Sequence, residues 1–295
     1  MQYGLPYKGS KTKIADAIIE HLPPAKVLYD LFAGGCAITH AAILSGKWGR
    51  VIANDIKPYP FLFRDAALGK YRDAYQWVSR EDFFATDDPF EKLIFSFGND
   101  CRTYLYAGGE VENWKRALHH AVCFHDYQPM IDLGGPDLSE IDSCRTMKQR
   151  RLKAYAILGG KDWYDKDTHL ENLERLERLQ DLERLQNLER LEVIQGNYWE
   201  VEIEDDAVVY LDPPYANTNG YGAKKISDFD SERLYEWILC QKAPVFISEY
   251  EMPGDRFDCI WELKTKSYIN ADTPTDSVER LFVPKGMKFD KITLF

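Results

Sequence analysis

The sequence predicts an α/β fold: a mostly parallel sheet flanked by helices, with one long helical insertion. Three observations carry this expectation. Short apolar runs at Val27–Leu31, Val51–Asn54 and Val208–Leu211 read as buried parallel strands. Each is followed by turn residues or an acid: Ala33-Gly34-Gly35, Asp55, and Asp212-Pro213-Pro214-Tyr215. Helix-patterned stretches lie between the runs, which is the alternation of a parallel sheet.

The elements follow in order. Lys11–His21 and Ala37–Ser45 have helical patterning, before and after the first strand. Two weaker strands are expected at Leu191–Ile194 and Val245–Ser248, with a helix at Ser231–Gln241 between them. A crossover between parallel strands needs about a dozen residues, whereas the second strand and Leu191 are separated by a far longer stretch. The expected division is therefore a sheet domain from 1–56 and 191–295, interrupted by an inserted recognition region at 57–190.

That insertion contains a leucine at every third position from Leu170 to Leu191, with Glu and Arg filling most gaps. Pairs such as Glu171–Arg175 have the i,i+4 spacing that supports an α-helix. In a 3.6-residue helix, however, leucines three apart drift around the axis, so no flat core covers them all. The run reads as a repeat expansion in a linker helix. The alternative is a surface for self-association or a partner.

Composition narrows the function. The chain has 295 residues, 45% of them hydrophobic, enough for a large core and against disorder. No apolar stretch is long enough to span a bilayer, and the polar beginning, broken by Gly4, Pro6 and Gly9, is no signal peptide. The six cysteines are scattered without a Cys-x-x-Cys pair, which suits free thiols in the cytoplasm. His119, His120 and His125 lack a fitting fourth ligand, so no metal is expected. The formal net charge of −11 argues against general polyanion binding. Between Cys144 and Lys166, by contrast, seven bases face two acids. This window is either a solvated helix face or a local grip on phosphates.

Three motifs carry chemistry. Asp212-Pro213-Pro214-Tyr215 puts a carboxylate, a proline-fixed carbonyl and an aromatic ring on one stiff turn. Two acceptors beside a ring suit a planar group bearing an exocyclic amine; a plain turn is the simpler reading of this motif alone. Phe32-Ala33-Gly34-Gly35-Cys36 permits close approach of a ligand to the backbone, as it would in a nucleotide-binding dehydrogenase. Asp55 has the spacing of an acid that holds ribose hydroxyls. Pro6-Tyr7-Lys8-Gly9-Ser10-Lys11 allows a tight loop that ends in a fixed positive charge.

Taken in this order, the motifs resemble those of the Dam-like adenine-N6 DNA methyltransferases, especially the phage-type members. Tyr7-Lys8-Gly9-Ser10-Lys11 departs from the family loop by serine at its second glycine, and Phe32–Cys36 by cysteine at its last. Asn54-Asp55 and Asp212–Tyr215 match without change. Ser96-Phe97-Gly98-Asn99 and Phe246–Tyr250 are also similar to family segments.

The resemblance implies a Rossmann-like S-adenosylmethionine (SAM) methyltransferase fold, SAM as methyl donor, and double-stranded DNA with a flipped adenine as substrate. Catalysis would fall to Asp212, Pro213, Pro214 and Tyr215. The donor would be held by Tyr7, Lys11, Phe32, Gly34, Gly35, Asp55, Asn197, Tyr198 and Asp212. Asn197 stands where the family more often has aspartate. DNA contacts would come from Arg102, Arg145, Lys148, Arg150, Arg151 and Lys153. Competing expectations are methylation of cytosine N4, RNA or a protein amide through the same acceptors, and a binding module that has lost catalysis.

Overall fold

The computed structural model describes residues 2–159, 169–214, 229–270 and 273–287. The chain begins with α1 (Ala15–His21), β1 (Ala25–Asp30), α2 (Ala37–Ser45) and β2 (Trp48–Asp55). Then come α3 (Tyr59–Ala67), α4 (Arg80–Ala85), α5 (Pro89–Ile94), α6 (Glu110–Phe124), α7 (Gln128–Asp132), α8 (Met147–Leu158) and α9 (Glu171–Asp181). It ends with β3 (Leu191–Gln195), β4 (Ala207–Leu211), α10 (Ser231–Leu239), β5 (Val245–Glu249), β6 (Phe257–Asn270) and β7 (Thr273–Pro284).

Contacts divide the chain into two compact units: Met1–Leu5, Gly9–Arg64 and Leu185–Phe295 in the first, Pro6–Lys8 and Asp65–Arg184 in the second. The first unit is built on a seven-stranded sheet in the order β3-β2-β1-β4-β5-β7-β6. Strands β3 to β5 along this order are parallel, and β7 runs antiparallel between β5 and β6. This is the Rossmann-like arrangement expected from the sequence. Alternation within the strands explains its layers. Val27, Tyr29, Ile52, Val209 and Val245 face a core completed by Leu234, Tyr235 and Ile238 of α10. Leu28, Val208, Tyr210 and Phe246, also buried, take the intervening positions.

Strand order reverses between β1 and β4, since the chain builds outward from β1 in both directions. In open α/β sheets the crevice at such a reversal, beyond the carboxyl ends of the strands, is where ligands bind. Asp30 ends β1 and pairs in register with Tyr210 of β4, two residues before Asp212.

The second unit is helical. Its core joins Leu118, Ala121 and Val122 of α6 to Ala154 and Leu158 of α8 and to Leu173 and Leu176 of α9. His119 is buried within it, where burial lowers its imidazole pKa to about 4. Its Nδ1 lies 2.9 Å from Asn172 Nδ2 and its Nε2 lies 2.6 Å from the Tyr75 carbonyl. A neutral ring accepting at Nδ1 and donating at Nε2 satisfies both contacts. Among the described residues no group of His, Cys, Asp and Glu is arranged to hold a metal ion. No described helix is long and apolar enough to cross a membrane, and the six cysteines are free thiols.

The leucine run departs from the expected single helix. The α-helix stops at Asp181, and the chain continues as 3₁₀ turns at Leu182–Arg184 and Leu188–Arg190 before entering β3. A 3₁₀ helix has three residues per turn, so it keeps every third residue on one side where an α-helix would rotate it away. Leu170, Leu173, Leu176, Leu179 and Leu182 are all buried within the chain. Arg175 is buried as well, donating to the Ile94 and Ser96 carbonyls and pairing with Glu171 at 3.0 Å. The run is thus an internal packing element, and these leucines offer no apolar face to a second copy.

Candidate active site

Four segments of the first unit converge on the carboxyl edge. The turn after β1 is shaped by backbone positions that few side chains tolerate. Gly34 has φ +46°, and Cys36 adopts the left-handed region at φ +59°, a conformation uncommon for any residue but glycine. The Gly34 N–H donates to Asp55 Oδ2 at 2.8 Å, while Asp55 Oδ1 accepts from the Lys57 N–H at 2.8 Å. Burial pushes the Asp55 carboxyl up despite these donors. Asn54 completes the edge by donating from Nδ2 to the Leu31 and Gly196 carbonyls.

The N-terminal segment lies directly on this turn. The Leu5 N–H donates to the Gly35 carbonyl at 2.7 Å, and the Gly4 N–H donates to His40 Nδ1 at 3.0 Å. Gly4 has φ +65°, and a Cβ there would stand 2.2 Å from the Gly35 oxygen. Only glycine allows the two backbones to approach this closely.

Farther along, Lys11 reaches inward as a 3₁₀ turn, Lys11–Lys13, leads into α1. Its Nζ lies 3.3 Å from Asp212 Oδ1 and 3.3 Å from Glu279 Oε2. Burial alone would lower the ammonium pKa, but the Asp212 and Glu279 carboxylates outweigh it and hold it raised. Asp212 follows the fully buried strand β4, with Pro213 buried and Pro214 exposed. Proline has no N–H to continue the ladder, so β4 ends here and the turn stays stiff. Behind it, the Tyr210 hydroxyl and Ser248 Oγ share a buried hydrogen bond of 2.7 Å that joins β4 to β5.

An aromatic group borders the same edge. The Phe32 ring lies 5.2 Å from Tyr198 and 5.8 Å from Phe229, and Tyr198 lies 5.3 Å from Trp237. Asn197 starts the 3₁₀ turn Tyr198–Glu200, its N–H donating to Glu200 Oε2 at 3.0 Å. It also lines a cavity of about 340 Å³ with Tyr29, Ile52 and Ile194. That cavity does not include Phe32, Gly34, Asp55 or Asp212 in its lining, which sets Asn197 apart from the other donor-site candidates.

Of the residues singled out from sequence, Lys11, Phe32, Gly34, Gly35, Asp55, Tyr198, Asp212, Pro213 and Pro214 thus belong to this unit's carboxyl edge or its approaches. Tyr7, half-buried, belongs to the stretch Pro6–Lys8 of the second unit. Tyr215 lies outside the described residues.

Sequence reading missed two acids. Glu279 sits on β7, 268 residues from Lys11, and no local pattern links them. Asp30 ends β1 two residues before the Phe32–Cys36 motif. Its Oδ2 accepts from the Thr39 N–H and hydroxyl of α2, at 3.1 and 2.7 Å, while among the described residues its buried Oδ1 has no hydrogen-bond partner. Burial, with Asp212 and Asp55 nearby, pushes the Asp30 carboxyl up to about 7.

Asp30 has a measurable consequence. An aspartate in an unfolded chain titrates near 4, so the folded state binds the proton more tightly. The stabilisation from protonated Asp30 is complete below about pH 4 and is lost as pH rises to about 7. Asp30→Asn is expected to flatten that slope and to exceed the wild type in stability at pH 8 by up to about 4 kcal/mol. Urea unfolding at pH 5 and pH 8 checks it; an unchanged slope removes Asp30 as the cause.

In the second unit the basic candidates separate by exposure. Arg102, Arg145 and Lys148 are exposed. Arg102 lies in a loop tied by Asp100, whose Oδ1 accepts from the Arg102 and Thr103 N–H groups at 2.8 and 2.9 Å. Gly98, Asn99 and Cys101 all have positive φ there, and Phe97 is 63% exposed. Arg150 donates from Nε to the Val122 carbonyl at 2.7 Å, and Lys153 donates to the Glu140 carbonyl at 2.6 Å. Arg151 departs from the expected phosphate contact. It is buried, with Nη1 2.7 Å from Glu174 and Nη2 2.9 Å from Glu177. A guanidinium out of water and paired twice holds α8 to α9 and is not placed to meet a phosphate.

Residues 7–116 match the family model of the D12 class N6 adenine-specific DNA methyltransferases. No curated protein matches the chain. Among solved structures, the chain resembles a "putative RNA methyltransferase" from Pyrococcus horikoshii at 12% identity. The alignment covers 92% of this chain and 77% of that one, with a TM-score of 0.31. The matched family segment contains the Tyr7–Lys11 loop, the glycine turn and Asp55, and it ends before the turn that carries Asp212.

Proposed function

We propose that the protein transfers a methyl group from SAM to N6 of an adenine flipped out of double-stranded DNA. The observation that carries this reading is Asp212: a carboxylate on a proline-stiffened turn at the strand-order reversal, beside a buried lysine. The family match supplies the nucleobase and the nucleic acid.

The residues at the edge fit the donor. The Asp55 carboxylate suits ribose hydroxyls, and among the described residues the buried Asp30 Oδ1 is an acceptor without a hydrogen-bond partner. Phe32, partly exposed, provides a ring face for a purine, with the buried Tyr198 packed behind it. When bound, SAM supplies a sulfonium-activated methyl that needs no metal or covalent relay.

The chain's own part is positioning and charge. The adenine amine is a weak nucleophile because its lone pair is delocalised into the ring. Asp212 and the Pro213 carbonyl accept its two N–H bonds, turn the lone pair toward the methyl, and stabilise positive charge as it develops on nitrogen. Holding both reactants in line removes about 7–11 kcal/mol of barrier. A base inside the duplex cannot reach such a turn, so it must leave the stack, at a cost of a few kcal/mol. Arg102, Arg145 and Lys148 are the exposed cations that would neutralise phosphates. With a whole-chain net charge of −11 opposing DNA, binding should weaken steeply with salt.

Incubation with unmethylated duplex DNA and SAM, followed by nucleoside analysis, tests the reading. The expected product is N6-methyladenine. N4-methylcytosine as the sole product, or methylation of RNA but not DNA, would overturn it.

A further inference from the structure

We propose that Glu279 is a positioning residue for methyl transfer: by sharing the Lys11 ammonium, it keeps Asp212 available as an acceptor for the adenine amine. The proposal rests on Asp212 being that acceptor.

Three distant segments meet here. Lys11 comes from the N-terminal region, Asp212 from the end of β4, and Glu279 from β7. The lysine nitrogen is 3.3 Å from each carboxylate, and the three side chains are only 10%, 19% and 16% exposed. The position of Glu279 is fixed by strand register: its neighbour Arg280 pairs with Glu249 at the end of β5. Arg280 itself is directed to the Tyr250 carbonyl and to Glu262. Tyr210, Tyr250 and Asp30 surround the same group, and all three feel the Asp212 charge.

An ammonium has three N–H donors and can serve two carboxylates at once. In a site shielded from water, each of these attractions is stronger than it would be in solvent. Were Glu279 uncharged, its pull on Lys11 would no longer oppose that of Asp212, and the ammonium would damp the charge on the oxygen that the adenine amine needs. Hydrogen bonds to a fully charged carboxylate are about twice as strong as neutral ones, so a neutralised Asp212 is a poorer acceptor. With Glu279 present, Asp212 can turn to the amine while Lys11 keeps a partner and leaves no unpaired buried charge. Glu279 therefore acts through Lys11, without touching the reacting atoms.

The test uses the full-length chain and compares Glu279→Gln with Glu279→Asp. In the Gln variant kcat on duplex DNA should fall roughly tenfold, with KM for SAM and DNA within about twofold of wild type. The Asp variant should recover most of the rate, and both should melt within a few degrees of wild type by circular dichroism. A second readout needs no catalysis: acetylation of Lys11 by acetic anhydride at pH 9, without SAM or DNA, followed by peptide mass spectrometry. Loss of one carboxylate frees the amine, so Lys11 should be labelled roughly threefold faster or more in the Gln variant. Unchanged kcat or unchanged labelling in an active enzyme overturns the sharing of Lys11. A kcat loss that tracks a lowered melting point overturns it too, leaving Glu279 a structural residue. If the wild type leaves DNA unmethylated while Lys11 labelling still responds to Glu279, the assignment of Asp212 fails and the positioning role of Glu279 fails with it.

Discussion

Asp212→Ala is expected to slow methyl transfer to duplex DNA by at least a hundredfold, or about 3 kcal/mol of transition-state stabilisation. The loss should fall on kcat, because the amine gains positive charge only as the bond to the methyl forms. Folding should survive, since Lys11 retains Glu279 as a partner 3.3 Å away. Asp212→Asn should fall between wild type and the alanine variant: it keeps one acceptor oxygen but loses the charge. Single-turnover assays with a radiolabelled methyl donor separate chemistry from binding and product release. A loss smaller than tenfold in the alanine variant would move the acceptor role elsewhere on the edge.

The second large effect concerns stability. Arg151→Ala is expected to cost about 3 kcal/mol, because it removes the shared partner of Glu174 and Glu177 and strands charge in a partly buried site. Urea unfolding measures this directly. Arg145→Ala and Lys148→Ala, both exposed, should leave stability within about 0.5 kcal/mol. If they contact phosphates, each should lower the slope of log K against log salt by about 0.9. Should Arg151→Ala instead melt like wild type and lose DNA affinity, Arg151 would regain the role its place in the basic window suggested.

These outcomes track what a linear reading can reach. β1, β2 and β4 were legible because a strand covered on both faces reads as an unbroken apolar run; β3, at the sheet edge with only Leu191 buried, gave a weaker signal. The β6–β7 hairpin was not legible, for two reasons. Phe257, Cys259, Trp261 and Leu263 alternate with other residues, giving a weaker signal than a continuous run, and the register shifts between Cys259 and Trp261. The basic window could not reveal that Glu174 and Glu177, more than 20 residues later, pair with Arg151. The leucine period of three is plain in the sequence, but nothing local shows that the α-helix stops at Asp181 and gives way to 3₁₀ turns, which suit such a repeat. For the site, motifs show residues adjacent in sequence; Glu279 joins Lys11 only because β7 returns alongside β5.

The strand order also constrains how the chain is made. Val27 of β1 pairs with Ala207 of β4, and no strand nearer in sequence can fill that side of β1. At about 5–20 residues per second, a ribosome needs roughly 10–35 s between the two. For that interval the centre of the sheet is half built, with an apolar edge open to neighbouring nascent chains. The helical unit, whose leucine-rich core is contained between Ala117 and Leu176, is synthesised in that same interval and can condense first. Chaperone demand during translation should therefore peak before β4 emerges and fall sharply once it does.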